Sequence, residues 1–361
     1  MARVLHLIPG LTGGGAERQL TLLAAAQATL GHEVHIGVLR PDVPPTLKNC
    51  DQVSIHLLSA RANHDPMLFF RIRQLVQQLN VDVVQTWLAI MDVLGGGAAL
   101  STNTPWILSE RSQAEAYPAS WKNLARTRLA RSANAVVANS KGGVDYWTLQ
   151  GVAAERIEHI PNAVDVTAIA SALSAQLPAN FQHRSLVLFV GRLSEEKMPF
   201  VVIEALANAL SGTNAVALLC GTGPLEKDMR TAIEAARASD RITLGGHRDD
   251  VFALMRVASV CVAISRFEGN PNVVLEAMAA GCPLIVSDIA AYRQLLDKEC
   301  AIFVPVNDAN ATAHAIKLTL ADPESAHQRA LCAQSRVVGL SPVEIAAQID
   351  AVYARTLRKP L

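Results

Sequence analysis

Short apolar runs alternate with longer helical patterns from one end of the chain to the other. Runs at 4–8, 34–39, 83–86, 106–109, 135–138 and 157–160 read as strands, and a second series follows at 186–190, 215–220, 242–244, 259–264, 283–287 and 302–304. Between them apolar residues recur at i, i+3 and i+4, as in Leu20, Leu23 and Ala24, the spacing of one buried helix face. The strand runs are apolar on both faces, which predicts parallel sheets covered by helices on either side. The alternation breaks once. Residues 165–183 hold no clear strand and are rich in Ala and Ser, with Pro178 near the end. The pattern predicts an α/β protein of two doubly wound, Rossmann-like domains: residues 1–165, a linker at 166–183, and residues 184–340. A last helical segment in 341–361 would pack back on the first domain. Each half would offer ligand loops at the carboxyl ends of its strands, with a ligand in the cleft between them.

Composition narrows the partners. At 361 residues the chain is about twice the usual domain size. Half of it is apolar and only 18% is charged, which feeds buried sheets and excludes a disordered chain. Lys plus Arg and Asp plus Glu number 32 each, so there is no basic surplus and no nucleic acid is expected as a partner. The six cysteines (Cys50, Cys220, Cys261, Cys282, Cys300 and Cys332) show no C-x-x-C pair, and several lie in apolar runs. They read as reduced core thiols of a cytosolic protein, not as a disulfide frame or zinc site. A core strand at 4–8 leaves no room for a signal peptide, and no uncharged run reaches the ~20 residues that span a bilayer. The expected place is the cytoplasm, with peripheral contact at the inner face of a membrane as the furthest extension.

Four loops carry chemistry. Ser265-Arg-Phe-Glu-Gly-Asn-Pro-Asn-Val-Val-Leu-Glu-Ala-Met-Ala-Ala-Gly-Cys-Pro283 follows a strand; Asn270 can cap a helix with Pro271 at its first position and Gly281 just past its end. This helix is apolar nearly all round, yet holds Glu276, four residues after Asn272, while Glu268 stands ahead of its start. One reading is a capped core helix with a tolerated acid. The other is a polyol and phosphate site, in which carboxylates accept sugar hydroxyls and N–H groups at the helix start meet a diphosphate. In Gly191-Arg192-Leu-Ser-Glu-Glu-Lys197, two cations at a strand's carboxyl end can neutralise a departing diphosphate, or simply be surface charges at a turn. Gly221-Thr-Gly223-Pro224 is either a close-approach loop or a plain βα turn. Gly10-Leu-Thr-Gly13-Gly14-Gly15-Ala-Glu17 either holds phosphate on backbone amides or is a flexible turn. Its glycines are clustered, unlike the dinucleotide G-x-G-x-x-G.

In this order and at these spacings the loops resemble the bacterial-type retaining glycosyltransferases of family 4, which have the GT-B fold. Glu268 and Glu276 match the family's E-x7-E motif, Gly191, Arg192 and Lys197 its G-R…K loop, and Gly221-Thr-Gly-Pro its G-x-G-P turn. Val137-Ala-Asn-Ser140 and Ile160-Pro-Asn-Ala-Val-Asp165 match its first-domain landmarks. The resemblance implies a transferase moving a sugar from a UDP- or GDP-sugar to a saccharide or lipid-linked saccharide acceptor in surface polysaccharide synthesis, with no cofactor and no metal. Arg192 and Lys197 would hold the diphosphate. Glu268 would meet the sugar and Glu276 the ribose, with Gly269, Asn270, Pro271 and Asn272 completing the pocket. Gly14 and Gly15 would lie near donor phosphates or acceptor, and His247 and Arg248 near the base.

The chain departs from the family in two places, one of them the earlier strand end, often His-rich in relatives, which reads Gln85-Thr86-Trp87 here. Where relatives carry a His close to the transferred sugar, it reads Ser109-Glu110-Arg111-Ser112; Arg111 would serve there, touching an anionic acceptor, with Glu110 and Ser109 as alternatives. Residues 120–131 add Lys122, Arg126, Arg128 and Arg131 with no acid, beside Trp121, Ala125 and Leu129. That is either a solvated helix face or a surface for anionic lipid. The rival functions are a nucleotide-sugar epimerase of the same fold, for which no base set is found, an NADP-binding oxidoreductase favoured only by Arg40, and a sugar-binding protein without catalysis.

Overall fold

The computed structural model describes residues 1–48, 50–58, 65, 67–112, 117 and 120–358; the end of the segment 341–361 lies outside them. The chain divides into two compact units, Met1–Ala163 with Gly339–Leu361, and Val164–Val338.

In the first unit, β1 (Arg3–Leu7), β2 (Glu33–Val38), β3 (Val53–Leu57), β4 (Val83–Trp87), β5 (Trp106–Glu110), β6 (Ala135–Ala138) and β7 (Ile157–His159) form one sheet in the order β3-β2-β1-β4-β5-β6-β7. Every pairing is parallel. The second unit repeats the design with β8 (Ser185–Val190), β9 (Ala215–Cys220), β10 (Ile242–Gly246), β11 (Val260–Ala263), β12 (Leu284–Ser287) and β13 (Ile302–Val304), ordered β10-β9-β8-β11-β12-β13. In each sheet the chain winds one way, then returns and winds the other. The reversal falls between β1 and β4 and between β8 and β11, and such switch points leave a crevice at the strands' carboxyl ends.

The period of two along each strand decides which side chain enters which layer. Val4, Ile36, Val83, Ile107 and Val137 pack on one face of the first sheet. Leu5, Leu7, Val84, Trp106, Leu108 and Val136 pack on the other. Both faces are dry, so the strand runs are continuous in apolar character. The final helix, Pro342–Arg358, contributes Ile345, Ala346, Ile349, Val352 and Tyr353 to the first of these layers, which places it in the first unit. Strand β3 is absent from the sequence-derived set. It lies at the sheet edge with every residue at least partly exposed, and Ser54 and His56 break its apolar run.

Two expectations change. The stretch 166–183 is built into the second unit: it contains the helix Val166–Ala170, Arg256 donates to the Ala172 carbonyl at 3.0 Å, and the Gln176 N–H donates to Asp250 at 2.8 Å. The cysteines are not all reduced. Cys300 and Cys332 form a disulfide with 5.0 Å between Cα atoms, while Cys220, Cys261 and Cys282 are buried free thiols. The pairing was invisible in the sequence because 32 residues separate the partners. No described helix is long and apolar enough to cross a membrane.

Candidate functional site

The loops after β8 and β11 flank the switch point of the second unit, and the structure joins them directly. Lys197, on the 3₁₀ turn Glu195–Lys197, forms an ion pair with Glu268. Glu268 also accepts from the Ser265 hydroxyl at 2.9 Å, and Ser265 is anchored through its N–H to Ser287 Oγ at 2.9 Å. The backbone adds a tie, Arg266 N–H to the Glu196 carbonyl at 2.8 Å. Met198, the next residue after the turn, is held in the left-handed region at φ 48°, which costs a non-glycine residue energy and fixes the turn. Arg192 is exposed and forms no ion pair among the described residues, so its guanidinium remains available to an anion.

The helix that follows spans Asn272–Ala279, starting one residue later than the sequence suggests. Pro271 is the N-cap and no side chain caps the end; Asn270 is therefore a loop residue, not the cap. The far end fits the glycine reading: Gly281 at φ 66° lies just past the helix, the Cys282 N–H reaches the Ala277 carbonyl at 2.9 Å and the Gly281 N–H that of Met278 at 3.1 Å, a Schellman closure. Glu276 is buried in the helix interior and Asn272 half-buried at its start.

Gly221 and Gly223 serve loop-to-loop packing. A Cβ at Gly221, where φ is 138°, would lie 1.8 Å from the Gly191 carbonyl oxygen, and one at Gly223 would lie 2.3 Å from that of Leu193. The Leu193 N–H donates to the Thr222 carbonyl at 3.0 Å and the Gly221 N–H to Gly246 at 2.7 Å. Three strand ends are thus laced together behind the cationic loop. Arg248 is engaged locally, gripping Asp250 from Nε and Nη2 at 2.7 and 2.6 Å and the Gln176 carbonyl at 2.6 Å. His247 beside it is exposed and 3.5 Å from Asp249.

In the first unit Gly14 is the N-cap of the helix Gly15–Thr29, so the glycine loop ends at the start of a long helix, where backbone N–H groups attract anions. Glu110 ends β5 and Arg111 follows it, the two pointing to opposite faces. Glu110 is fully buried: its Oε2 accepts from Arg126 at 2.9 Å and Trp147 Nε1 at 3.0 Å, and its Oε1 from the Ser112 N–H at 2.8 Å and the Tyr117 hydroxyl at 2.5 Å. Arg126 also grips Asp92 at 2.7 Å. Arg126 therefore belongs to a buried ion cluster and not to the surface patch it seemed to extend. The two carboxylates beside it hold its guanidinium charged.

Arg111 lies over the Trp87 ring at 4.3 Å and donates to Asn162 Oδ1 at 3.1 Å. Asn139 Nδ2 reaches the same oxygen at 3.2 Å, so the two Asn-bearing landmark motifs meet here. Beneath runs a chain of buried hydrogen bonds whose direction is fixed by indole, which can only donate. Trp87 Nε1 donates to His6 Nδ1 at 3.2 Å. Burial lowers the His6 pKa to about 4, so its one proton sits on Nε2 and goes to Gln27 Oε1 at 2.8 Å. Gln27 Nε2 donates to Tyr353 Oη at 3.1 Å, Tyr353 to Gln85 Oε1, and Gln85 Nε2 to Ser109 Oγ at 2.7 Å. Sequence reasoning passed over His6, Gln27 and Tyr353, because their meeting depends on the final helix returning to β1 and β4.

Two family models match, "Glycosyltransferase Family 4" over residues 13–168 and "Glycosyl transferases group 1" over residues 176–335. The chain is 26% identical to a Campylobacter jejuni enzyme, GalNAc-alpha-(1->4)-GalNAc-alpha-(1->3)-diNAcBac-PP-undecaprenol alpha-1,4-N-acetyl-D-galactosaminyltransferase, across 89% of this chain and 90% of that one. It is 31% identical to the phosphatidyl-myo-inositol mannosyltransferase of Mycobacterium leprae across 57% and 55%. Among solved structures, Anabaena HepE with UDP-glucose superposes with a TM-score of 0.85 over 98% of this chain and all of that one, at 19% identity.

Proposed function

The chain belongs to the family 4 glycosyltransferases with the GT-B fold, and on that premise we propose a retaining, metal-independent transfer of a sugar from a UDP- or GDP-sugar to a saccharide or lipid-linked saccharide in surface polysaccharide synthesis. The acceptor oxygen bonds to the anomeric carbon on the face the diphosphate leaves. The acceptor proton departs with the nucleoside diphosphate. The observation that carries this reading is the Lys197–Glu268 pair at the β8/β11 switch point. It holds an ammonium group at the strand ends, in the same loop as the exposed Arg192, and a fixed cation with a second one free to close on the ligand can neutralise charge on a leaving diphosphate as a metal would. Glu268 then meets the sugar, Glu276 the ribose, and residues 269–272 the phosphates. The names of the Campylobacter and Mycobacterium relatives contain a PP-undecaprenol and a phosphatidyl-myo-inositol group, which supports a lipid-linked acceptor.

The test is product analysis by NMR after incubation of UDP- and GDP-sugars with candidate acceptors in EDTA. An inverted anomeric centre overturns retention. Activity abolished by EDTA and restored by Mg²⁺ or Mn²⁺ overturns metal independence.

Peripheral membrane contact is supported by one surface of the first unit. The helices Trp121–Ala130 and Met67–Leu79 contain no acid. They expose Trp121, Leu124, Met67 and Phe70, and Lys122 and Arg128 are exposed beside them. Apolar side chains flanked by cations suit an anionic bilayer. Sedimentation with phosphatidylglycerol-containing vesicles, but not with phosphatidylcholine alone, is expected; no sedimentation with either refutes it.

A further inference from the structure

Most buried charges in the first unit have a partner of opposite sign. Arg126 has two, Asp92 and Glu110. Arg111 has none among the described residues. Its Nη1 meets the neutral Asn162 and its ring neighbour is Trp87, while Nε is shut away from solvent without a hydrogen bond. The adjacent Glu110 acts on it only through space, its charge partly offsetting burial, while both its oxygens are bonded to other groups. Burial lowers the Arg111 pKa only to about 10, so the group keeps its charge at neutral pH. The side chain is half-buried, and enclosing a guanidinium N–H that has neither a hydrogen bond nor an ion-pair partner is costly; a second orphan, Asn139 Oδ1, is buried close by on the same Asn162 hub.

The position supplies the ligand. Arg111 directly follows β5, and Trp87 is the last residue of β4, the strand that flanks the switch point. The directional chain through His6, Gln27 and Tyr353 holds Trp87 by its indole N–H, so the aromatic face under the guanidinium cannot turn away. Stacking on that face leaves the planar fork to address a carboxylate or phosphate.

Resting on the glycosyltransferase reading, we propose that Arg111, stacked on Trp87 and steadied by Asn162, binds an anionic group of the substrate, a carboxylate on the transferred sugar or a phosphate on the acceptor. The missing ion-pair partner is thus supplied by the ligand, and a neutral substrate in its place leaves the guanidinium without one.

The experiment uses the full chain and its Arg111→Gln and Arg111→Lys variants in calorimetric titrations. Two matched pairs of probes separate the sources: UDP-glucuronate against UDP-glucose for the sugar, and farnesyl diphosphate against farnesol for the acceptor. In one pair the charged member should bind the unaltered protein at least tenfold more tightly than the neutral one. Arg111→Gln should erase that preference and Arg111→Lys restore part of it, with affinity for the free nucleotide unchanged in both, which also shows that the variants fold. Preference within the first pair identifies a uronate donor, and within the second a phosphate-bearing acceptor. Nucleotide binding with no preference in either pair, or a preference that survives Arg111→Gln, overturns the inference. Failure of all nucleotides and their sugars to bind instead overturns the glycosyltransferase reading on which it rests.

Discussion

Lys197 and Glu268, 71 residues apart, form an ion pair that ties the loop after β8 to the loop after β11. Each is also held from behind, Glu268 by Ser265 and Lys197 by a turn closing on Met198. The ammonium is thus fixed before any donor arrives, which is what stabilisation of a developing charge requires. In the proposed role its effect would be greatest in the transition state, where the diphosphate takes up the most charge. Lys197→Ala is expected to lower kcat by about 10²–10³ while changing donor affinity only a few-fold. Equal losses in both, measured by initial rates and by titration of the donor, would refute that role.

Gly221 sets the packing behind this loop. With φ at 138° and the Gly191 oxygen 1.8 Å from where a Cβ would stand, Gly221→Ala forces backbone apart and not merely a flexible side chain. The Gly221 N–H bond to Gly246 at 2.7 Å would be disturbed with it. The variant should melt several degrees lower and bind donor weakly, whereas Gly212→Ala, with no atom within 4 Å, should leave donor affinity unchanged. Normal donor affinity in Gly221→Ala would show that the three strand ends tolerate separation.

The Cys300–Cys332 disulfide closes a loop within the second unit. Unfolded without reductant, the protein should show four reactive thiols, those of Cys50, Cys220, Cys261 and Cys282. Closure of a loop of 32 residues is worth about 3.7 kcal/mol in the chain-entropy account, so dithiothreitol should lower the melting temperature. Six reactive thiols before reduction would contradict the pairing.

Much of this architecture was legible because both-face burial leaves its mark on sequence. Strands β6, β9 and β13 fall where their apolar runs lie, and the reversal of strand order places the Gly191–Lys197 and Ser265–Asn272 loops at a switch point. The edge strand β3 was not legible, since exposure of alternate residues mixes Ser54 and His56 into its run. Nor was the division of labour between Glu110 and Arg111. Both looked like sugar-side candidates, and only the end of β5 at Glu110 sends one into an ion cluster and leaves the other, just past it, without an ion-pair partner among the described residues. The Arg126 charge was misleading for the same reason: helical spacing gives a face, but it does not say which neighbour covers it.

That cluster makes its own prediction. Arg126 is 1% exposed between two buried carboxylates, and removing it strands both. Arg126→Ala should cost about 3–5 kcal/mol of stability, measured by urea unfolding, while Arg128→Ala on the exposed turn should cost under about 0.5 kcal/mol. Similar small losses from both would mean that Asp92 and Glu110 are satisfied by their other partners.

His6 gives a pH dependence of definite sign. Its pKa is about 4 in the fold, lowered first by burial and opposed by the Gln27 hydrogen bond, against about 6.5 in the unfolded chain. Between those values the unfolded state binds the extra proton, so stability is full above pH ~6.5 and falls as the pH drops through ~4. The size is on the order of 3 kcal/mol, the free energy that separates a pKa of about 6.5 from one of about 4. Asp92 works against it: burial raises its carboxyl pKa to about 6, and stability from that source would be lost as pH rises. The two contributions separate by comparing the protein with His6→Gln, which keeps an acceptor but cannot titrate. Subtracting the variant's unfolding free energies from the parent's cancels Asp92 and leaves the His6 curve alone. That difference should fall between pH 6.5 and 4. A flat difference would mean that His6 binds its proton alike in both states, without disturbing Trp87 and Gln27, and the directional chain beneath Arg111 would lose its starting point.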